Sequence, residues 1–274
     1  ASTRAPDEVA RLKALLVRGW GGGVSPSEEV VHAEVGFISV SQALKSPEKL
    51  MWEKATDLEE AKLLAHDCWS PATSTDDANF KGRILPISLL LTRKRCGRFK
   101  CRAVALGHLD TETSELHTYS SVVTQVGIRM LLTESSREKD HLISVDAENA
   151  FIQSTIGRLV VCRLPECWKR DNPTGLVRLH RSLYGLVDAP RNWSKHLNSK
   201  LIELGWSESQ ACPGLWRKLS KSGKFLKLGV YVDDMLAPGS DRQELVSEIQ
   251  KLLEIVKGNV IEPQMKTVDG KEWQ

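Results

Sequence analysis

Residues 188–206, DAPRNWSKHLNSKLIELGW, place apolar side chains at Trp193, Leu197, Leu201 and Leu204. That spacing is one face of a helix. Asp188 stands at the capping position, Pro190 in the first turn and Gly205 past the end, each where a helix boundary favours it. The same period predicts helices over 7–20 (DEVARLKALLVRGW, closed by Gly21–Gly23), 46–69, 120–136 and 240–258. In 46–69, Ser46 is the expected cap, Pro47 suits the first turn, and Leu50, Ala55, Leu58, Ala61 and Leu64 form the stripe. In 240–258 the cap is Ser240 or Asp241, with Leu245, Ile249, Leu252, Leu253 and Val256 inward. Period two takes over at 141–147: Leu142, Ser144 and Asp146 share one strand face, Ile143 and Val145 the other. RLVVCRLPE (158–166) reads as a further strand, KGRILPISLLLTRKRCGRFKCR (81–102) as two strands about a Gly-containing turn, and FLKLGVYVDDMLAPG (225–239) as strand–turn–strand. Helices interleaved with mostly antiparallel strands predict an α+β fold, a sheet with helices on one face.

Composition changes this picture little. The chain has 274 residues, 41% hydrophobic and 27% charged, enough for one large or two modest domains. A net charge of +3 is too small to argue for a nucleic-acid partner from the total. Its distribution says more: 81–102 holds eight basic residues and no acidic one. Such a hairpin is either a solvated charged loop or a clamp on phosphates. The six cysteines form no CxxC pair and the seven histidines no HExxH, so no zinc site is expected and the thiols read as reduced ones of an intracellular protein. No apolar run approaches the roughly 18 residues of a membrane span, and no secretory leader is visible. The start at Ala1 and the end at Gln274 read as a piece of a longer reading frame.

Candidate chemistry lies in three carboxylates. Asp233 and Asp234 sit in the middle of an apolar hairpin, and Asp146 ends an apolar strand. A solvated turn accounts for the pair and a helix N-cap for Asp146 when each is taken alone. Converging, they form an oxygen-rich set suited to Mg²⁺. Paired divalent ions activate an attacking hydroxyl and stabilise a leaving pyrophosphate. With a basic hairpin for the triphosphate, these are the parts of a nucleotidyltransferase; a metal-dependent nuclease has the same carboxylates.

Larger motifs decide between these. YVDD (231–234), SVDAENAFIQ (144–153), LHRSLYGLVDAPRNWSKHL (179–197), RFKCRAVALGHLD (98–110) and ALKSPEKLMWEKATDLEEAKLLAHDCW (43–69) follow one another in order. Together they resemble the reverse transcriptase domain of copia-type LTR retrotransposons, over about 43 to 240. The resemblance implies a right-hand polymerase fold: 1–40 a linker or upstream remnant, 41–240 fingers and palm, 241–274 a C-terminal helix and a truncated thumb region. It implies that Asp146, Asp233 and Asp234 are catalytic and bind two Mg²⁺ ions, with Mn²⁺ a possible substitute. Lys100, Arg102, Phe151, Tyr184, Gly185 and Arg191 match nucleotide-binding positions, Phe151 as the gate against a ribose 2′-OH. Arg93, Lys94, Arg95, Arg98 and Tyr231 are the expected nucleic-acid contacts. The implied partners are an RNA or DNA template with primer, dNTPs and the rest of a polyprotein with integrase and RNase H. The implied place is inside the cell, in a cytoplasmic particle or the nucleus, away from membranes. Some positions depart from the family: Val187-Asp188 replaces Lys-Gln, Leu106 replaces a lysine, Ser121 replaces a proline, and Gln153-Ser154 replaces Asn-Gly. Asp188 would thus bring an acid near a phosphate site. Those departures support a second reading, an inactive, truncated remnant that at most binds nucleic acid.

Overall fold

A computed structural model describes residues 38–261 except 74, 75, 77–79, 95, 114, 115, 117, 170 and 171, and the backbone of 266–268 and 271–273. The helix expected over 7–20 and the linker after it lie outside the described residues. In chain order the elements are α1 (Val40–Lys45), α2 (Lys49–Ala65), β1 (Trp69–Pro71), β2 (Leu85–Arg93), β3 (Phe99–Ala105), α3 (Gln125–Glu138), β4 (His141–Ala147), α4 (Ala150–Gln153), β5 (Val161–Arg163), β6 (Leu176–Leu179) and α5 (Ala189–Glu203). There follow β7 (Ser207–Glu208), β8 (Leu215–Leu219), β9 (Phe225–Tyr231), β10 (Asp234–Gly239), α6 (Arg242–Ile255), β11 (Gly258–Ile261), β12 (Lys266–Val268) and β13 (Lys271–Trp273).

The fold is α+β, as the sequence predicts, but with two main sheets. One runs β1-β6-β5-β2-β3, the other β11-β4-β10-β9-β8-β7, and β12-β13 is a separate hairpin. Each main sheet has its own core. In the first, Leu85, Ile87, Leu89 and Leu91 of β2 meet Cys101, Ala103 and Ala105 of β3. In the second, Ile143 and Val145 of β4 pack with Trp193, Leu197 and Leu201 of α5 and Leu245, Ile249 and Leu252 of α6. Phe151 packs against both cores. None of the six cysteines is in a disulfide, and no helix among the described residues is long and apolar enough to cross a membrane.

Three expectations change. Helix α2 buries Trp52, Ala55, Glu59 and Leu63. Of the predicted stripe only Ala55 lies on that face; Leu50, Leu58 and Leu64 are 78%, 63% and 52% exposed. Glu59 takes a core position because β3 is a sheet edge with donors to satisfy: its carboxylate accepts from the Ala103 amide at 3.1 Å and pairs with Lys62. Ser46 does not open α2; its hydroxyl donates to the Ala43 carbonyl at the end of α1. Helices also cover both faces of the six-stranded sheet. Leu228 and Val230 of β9 face α5 and α6, whereas Gly229 between them lies against Ile128 and Leu131 of α3. The smallest residue there lets α3 approach closely.

Candidate active site

Strand alternation sets the acidic cluster. Met235 pairs with Val145, both buried, so their neighbours Asp234 and Asp146, also partners in register, share the opposite face. Asp234 also pairs with Tyr231, leaving Val232 and Asp233 as a two-residue loop. The carbonyl of Asp233 accepts from the Ala147 amide at 2.8 Å. The loop is thereby tied to the end of β4, beside Asp146.

These acids are poorly compensated. Burial pushes the Asp233 pKa up, and the Asp146 charge pushes it further, against its own backbone N–H and the weaker pull of Arg102 and Lys100. Asp234 is exposed, yet displaced water raises its pKa, with the Asp233 and Asp146 charges adding to the effect. Among the described residues no group of three or more His, Cys, Asp or Glu side chains is placed so that it could hold a metal ion. The donor chemistry nonetheless fits a hard dication: carboxylate oxygens from two adjacent strands and the loop beside them.

The other sequence candidates divide into two groups. Lys100 and Arg102 lie on β3 opposite Cys101 and Ala103, which are buried, and both bear on Asp233. Burial first, then Arg102 and Lys94, brings the Lys100 pKa down to about 8. Phe151 meets Tyr184 edge-on, with centroids 4.8 Å apart. Burial, then the charge of Asp233, raises the Tyr184 pKa to about 12, so the phenol stays neutral at physiological pH. Gly185 has φ +87°, and a Cβ there would lie 2.1 Å from the Ala105 carbonyl oxygen. Only glycine lets this loop close on β3, where the Ala105 amide donates to the Tyr184 carbonyl at 2.8 Å. Arg191 is half-buried in the first turn of α5.

The second group lies at the hairpin tip. Lys94 and Arg98 close the turn, with the Lys94 amide donating to the Arg98 carbonyl at 2.9 Å. Arg93 is engaged by Glu48 at 2.9 Å and lies 5.2 Å from the Phe99 ring. Arg95 lies outside the described residues. Tyr231 is exposed, in register with Asp234.

Asp188 corrects an expectation. It does not cap α5 with its side chain. It is buried and held by Arg158, whose guanidinium also reaches Asp110, at 3.1 Å and 2.7 Å respectively. Sequence reasoning did not find Arg158. Gln153, singled out in the sequence only as a departure from the family, donates its amide to the carbonyls of Glu148 and Lys257 and so ties the loop after Asp146 to the start of β11. β11 itself pairs Asn259 with Asp146.

One sheet thus carries the acidic hairpin and the other the basic side chains whose charge bears on it. The chain belongs to the reverse transcriptase (RNA-dependent DNA polymerase) family, whose profile matches residues 83–257. Its curated relatives are copia-type polyproteins. It is similar to the retrovirus-related Pol polyproteins from transposons RE2 and RE1 of Arabidopsis thaliana, 30% identical to each, over 53% and 57% of this chain and 10% and 11% of theirs. It is also similar to the Ty1-DR5 Gag-Pol polyprotein of Saccharomyces cerevisiae, 25% identical over 78% of this chain and 12% of that one. The chain thus spans about a tenth of the length of these relatives. Among solved structures, a foamy viral protease-reverse transcriptase in complex with double-stranded DNA aligns at 14% identity and TM-score 0.39, over 77% of this chain and 30% of that one.

Proposed function

We propose that this domain is an RNA-directed DNA polymerase that extends a primer by nucleotidyl transfer from dNTPs. The observation that carries the reading is the pairing of Asp234 with Asp146 beside a loop bearing Asp233. Carboxylates on paired strands and the loop beside them, with no Lys or Arg bonded to them among the described residues, suit divalent ions better than a structural role. Asp146, Asp233 and Asp234 would hold two Mg²⁺, or Mn²⁺ in its place. Bound there, the ions would lower the pKa of the primer 3′-hydroxyl and neutralise charge on the departing pyrophosphate.

The remaining residues bind and orient. Lys100 and Arg102 hold the triphosphate as cations. Phe151, braced by Tyr184, closes the floor below the ribose and disfavours a 2′-hydroxyl. Gly185 lets the Tyr184 loop pass close to β3, and Arg191 lies at the start of α5 toward the template side. The hairpin of Arg93, Lys94, Arg95 and Arg98 bears on the nucleic-acid backbone, and Tyr231 flanks the acids. In this reading the five-stranded sheet is the fingers, the six-stranded sheet is the palm, and residues 41–240 are the polymerase core of a longer polyprotein acting inside the cell. The second reading, a remnant that binds nucleic acid without catalysis, is favoured by the altered Val187-Asp188, Leu106 and Gln153-Ser154 positions. Extension of a DNA primer on an RNA template, with and without Mg²⁺, separates them. Metal-dependent incorporation supports the polymerase; binding that responds to salt, with no incorporation, supports the remnant.

A further inference from the structure

The loop carrying Asp233 is held in an unfavourable backbone conformation. Val232 has φ +57°, a region a β-branched residue rarely occupies and that is strained for it. Two-residue hairpin loops adopt type I′ or II′ turns. Both need positive φ at the first loop residue, and only type I′ needs it at the second. Asp233 is absent from the positive-φ residues, so the turn follows the II′ pattern. The two types differ by a flip of the peptide joining the two loop residues, and that peptide carries the Val232 carbonyl.

This carbonyl accepts a hydrogen bond from the indole Nε1 of Trp193 at 2.7 Å. Trp193 is buried on α5 among Leu197, Leu201 and Val230, so the donor is fixed to a rigid element. On its other side, the Asp233 carbonyl is held by the Ala147 amide at 2.8 Å. Both peptide units flanking Asp233 are therefore pinned, one to α5 and one to β4. Without the indole donor, the central peptide can turn over to type I′. Asp233 would then enter the left-handed region, which Asp tolerates better than most residues, and its carboxylate would change direction.

We propose that Trp193 is a positioning residue that selects the turn conformation in which Asp233 is held beside the strand end carrying Asp146, acting through the Val232 carbonyl. This rests on the polymerase reading only for its effect on catalysis; the effect on the turn is independent of it.

The test is Trp193→Phe, which keeps an aromatic ring in the core and removes the donor. In the metal-free protein, hydrogen exchange at the Ala147 amide should accelerate about tenfold or more, while Val145 in the same strand stays protected. In primer extension, kcat should fall about tenfold or more with the KM for dNTP little changed, since small misplacements of reacting groups are costly. Val232→Gly removes the strain and favours type II′ by itself. Trp193→Phe should therefore cost less in that background, a coupling that core packing alone would not produce. If Ala147 exchange is unchanged, or the two substitutions are additive, the positioning role is overturned. If the wild type extends no primer yet Ala147 loses protection in Trp193→Phe, the polymerase reading fails and the positioning role stands.

Discussion

Two groups of acids in this molecule contrast sharply. Asp110 and Asp188 are buried, come from distant parts of the chain, and share one guanidinium, that of Arg158. Asp146, Asp233 and Asp234 are as tightly placed by backbone register, yet among the described residues no Lys or Arg is bonded to them. In the first group, protein charge compensates protein charge and the result is a clip between the 98–110 strand region and the start of α5. In the second, burial raises Asp233 and Asp234 and neighbouring acid charge adds to it, opposed at Asp233 by its own backbone N–H and the weaker pull of Arg102 and Lys100. A carboxylate with a built-in counter-charge holds structure together, whereas one left without is available for something the chain does not supply.

The strongest way to break the contrast is to neutralise one member of each group. Asp233→Asn should lower primer extension by about a thousandfold or more while leaving the melting temperature no lower, because a half-buried charge with no ion pair among the described residues is removed. Extension in that variant near the wild-type rate would place Asp233 with the structural acids. Arg158→Ala should do the opposite. It strands two buried carboxylates and should cost about 3–5 kcal/mol of stability, measured by urea unfolding. Adding Asp110→Asn and Asp188→Asn should restore much of that loss. Failure to restore it would mean that Arg158 acts through packing.

The contrast also explains which features the sequence made visible. The strand ending at Asp146 and the hairpin of Asp233 and Asp234 were legible because period-two alternation is local and a polar pair amid apolar neighbours stands out. α5 was legible because Trp193, Leu197 and Leu201 repeat along one face. Asp188 was misread because its partner lies 30 residues away, and nothing local signals a guanidinium. α2 was misread because Glu59, a charged residue, fills a core position to satisfy a sheet edge. β1, β6 and β11 have three or four residues each, too few for a period to register. The bond from Trp193 to Val232 spans two elements and is visible only once they pack.

A smaller effect sharpens the view of the cationic side. With its pKa brought down to about 8 from 10.5, Lys100 loses its charge within an accessible range. If that charge holds the triphosphate, kcat/KM for dNTP should decline several-fold as pH rises through about 8. Lys100→Arg should remove this decline, since a guanidinium stays protonated. The sign for stability is separate. The folded protein releases this proton before the unfolded chain does, so between about 8 and 10.5 the unfolded chain binds more protons and stability rises with pH. Lys100→Met should abolish that rise. An unchanged kcat/KM profile in Lys100→Arg would assign the decline to another group.

The least effect is expected at the hairpin tip, where the same distinction between engaged and available charge applies to cations. Affinity for a nucleic-acid backbone falls with salt in proportion to the number of phosphates neutralised, close to one unit of log–log slope per contact. Lys94→Ala and Arg98→Ala should each reduce that slope by about one unit. Arg93→Ala should reduce it by less, because its guanidinium already meets Glu48 at 2.9 Å and the Phe99 ring; reaching a phosphate would first require leaving them. Binding of a primer–template, measured by fluorescence anisotropy across a salt series, reads all three slopes. Equal reductions would show that the Glu48 pair opens freely in solution, as exposed ion pairs of low net worth do, and engagement would then mark function only where the charges are buried.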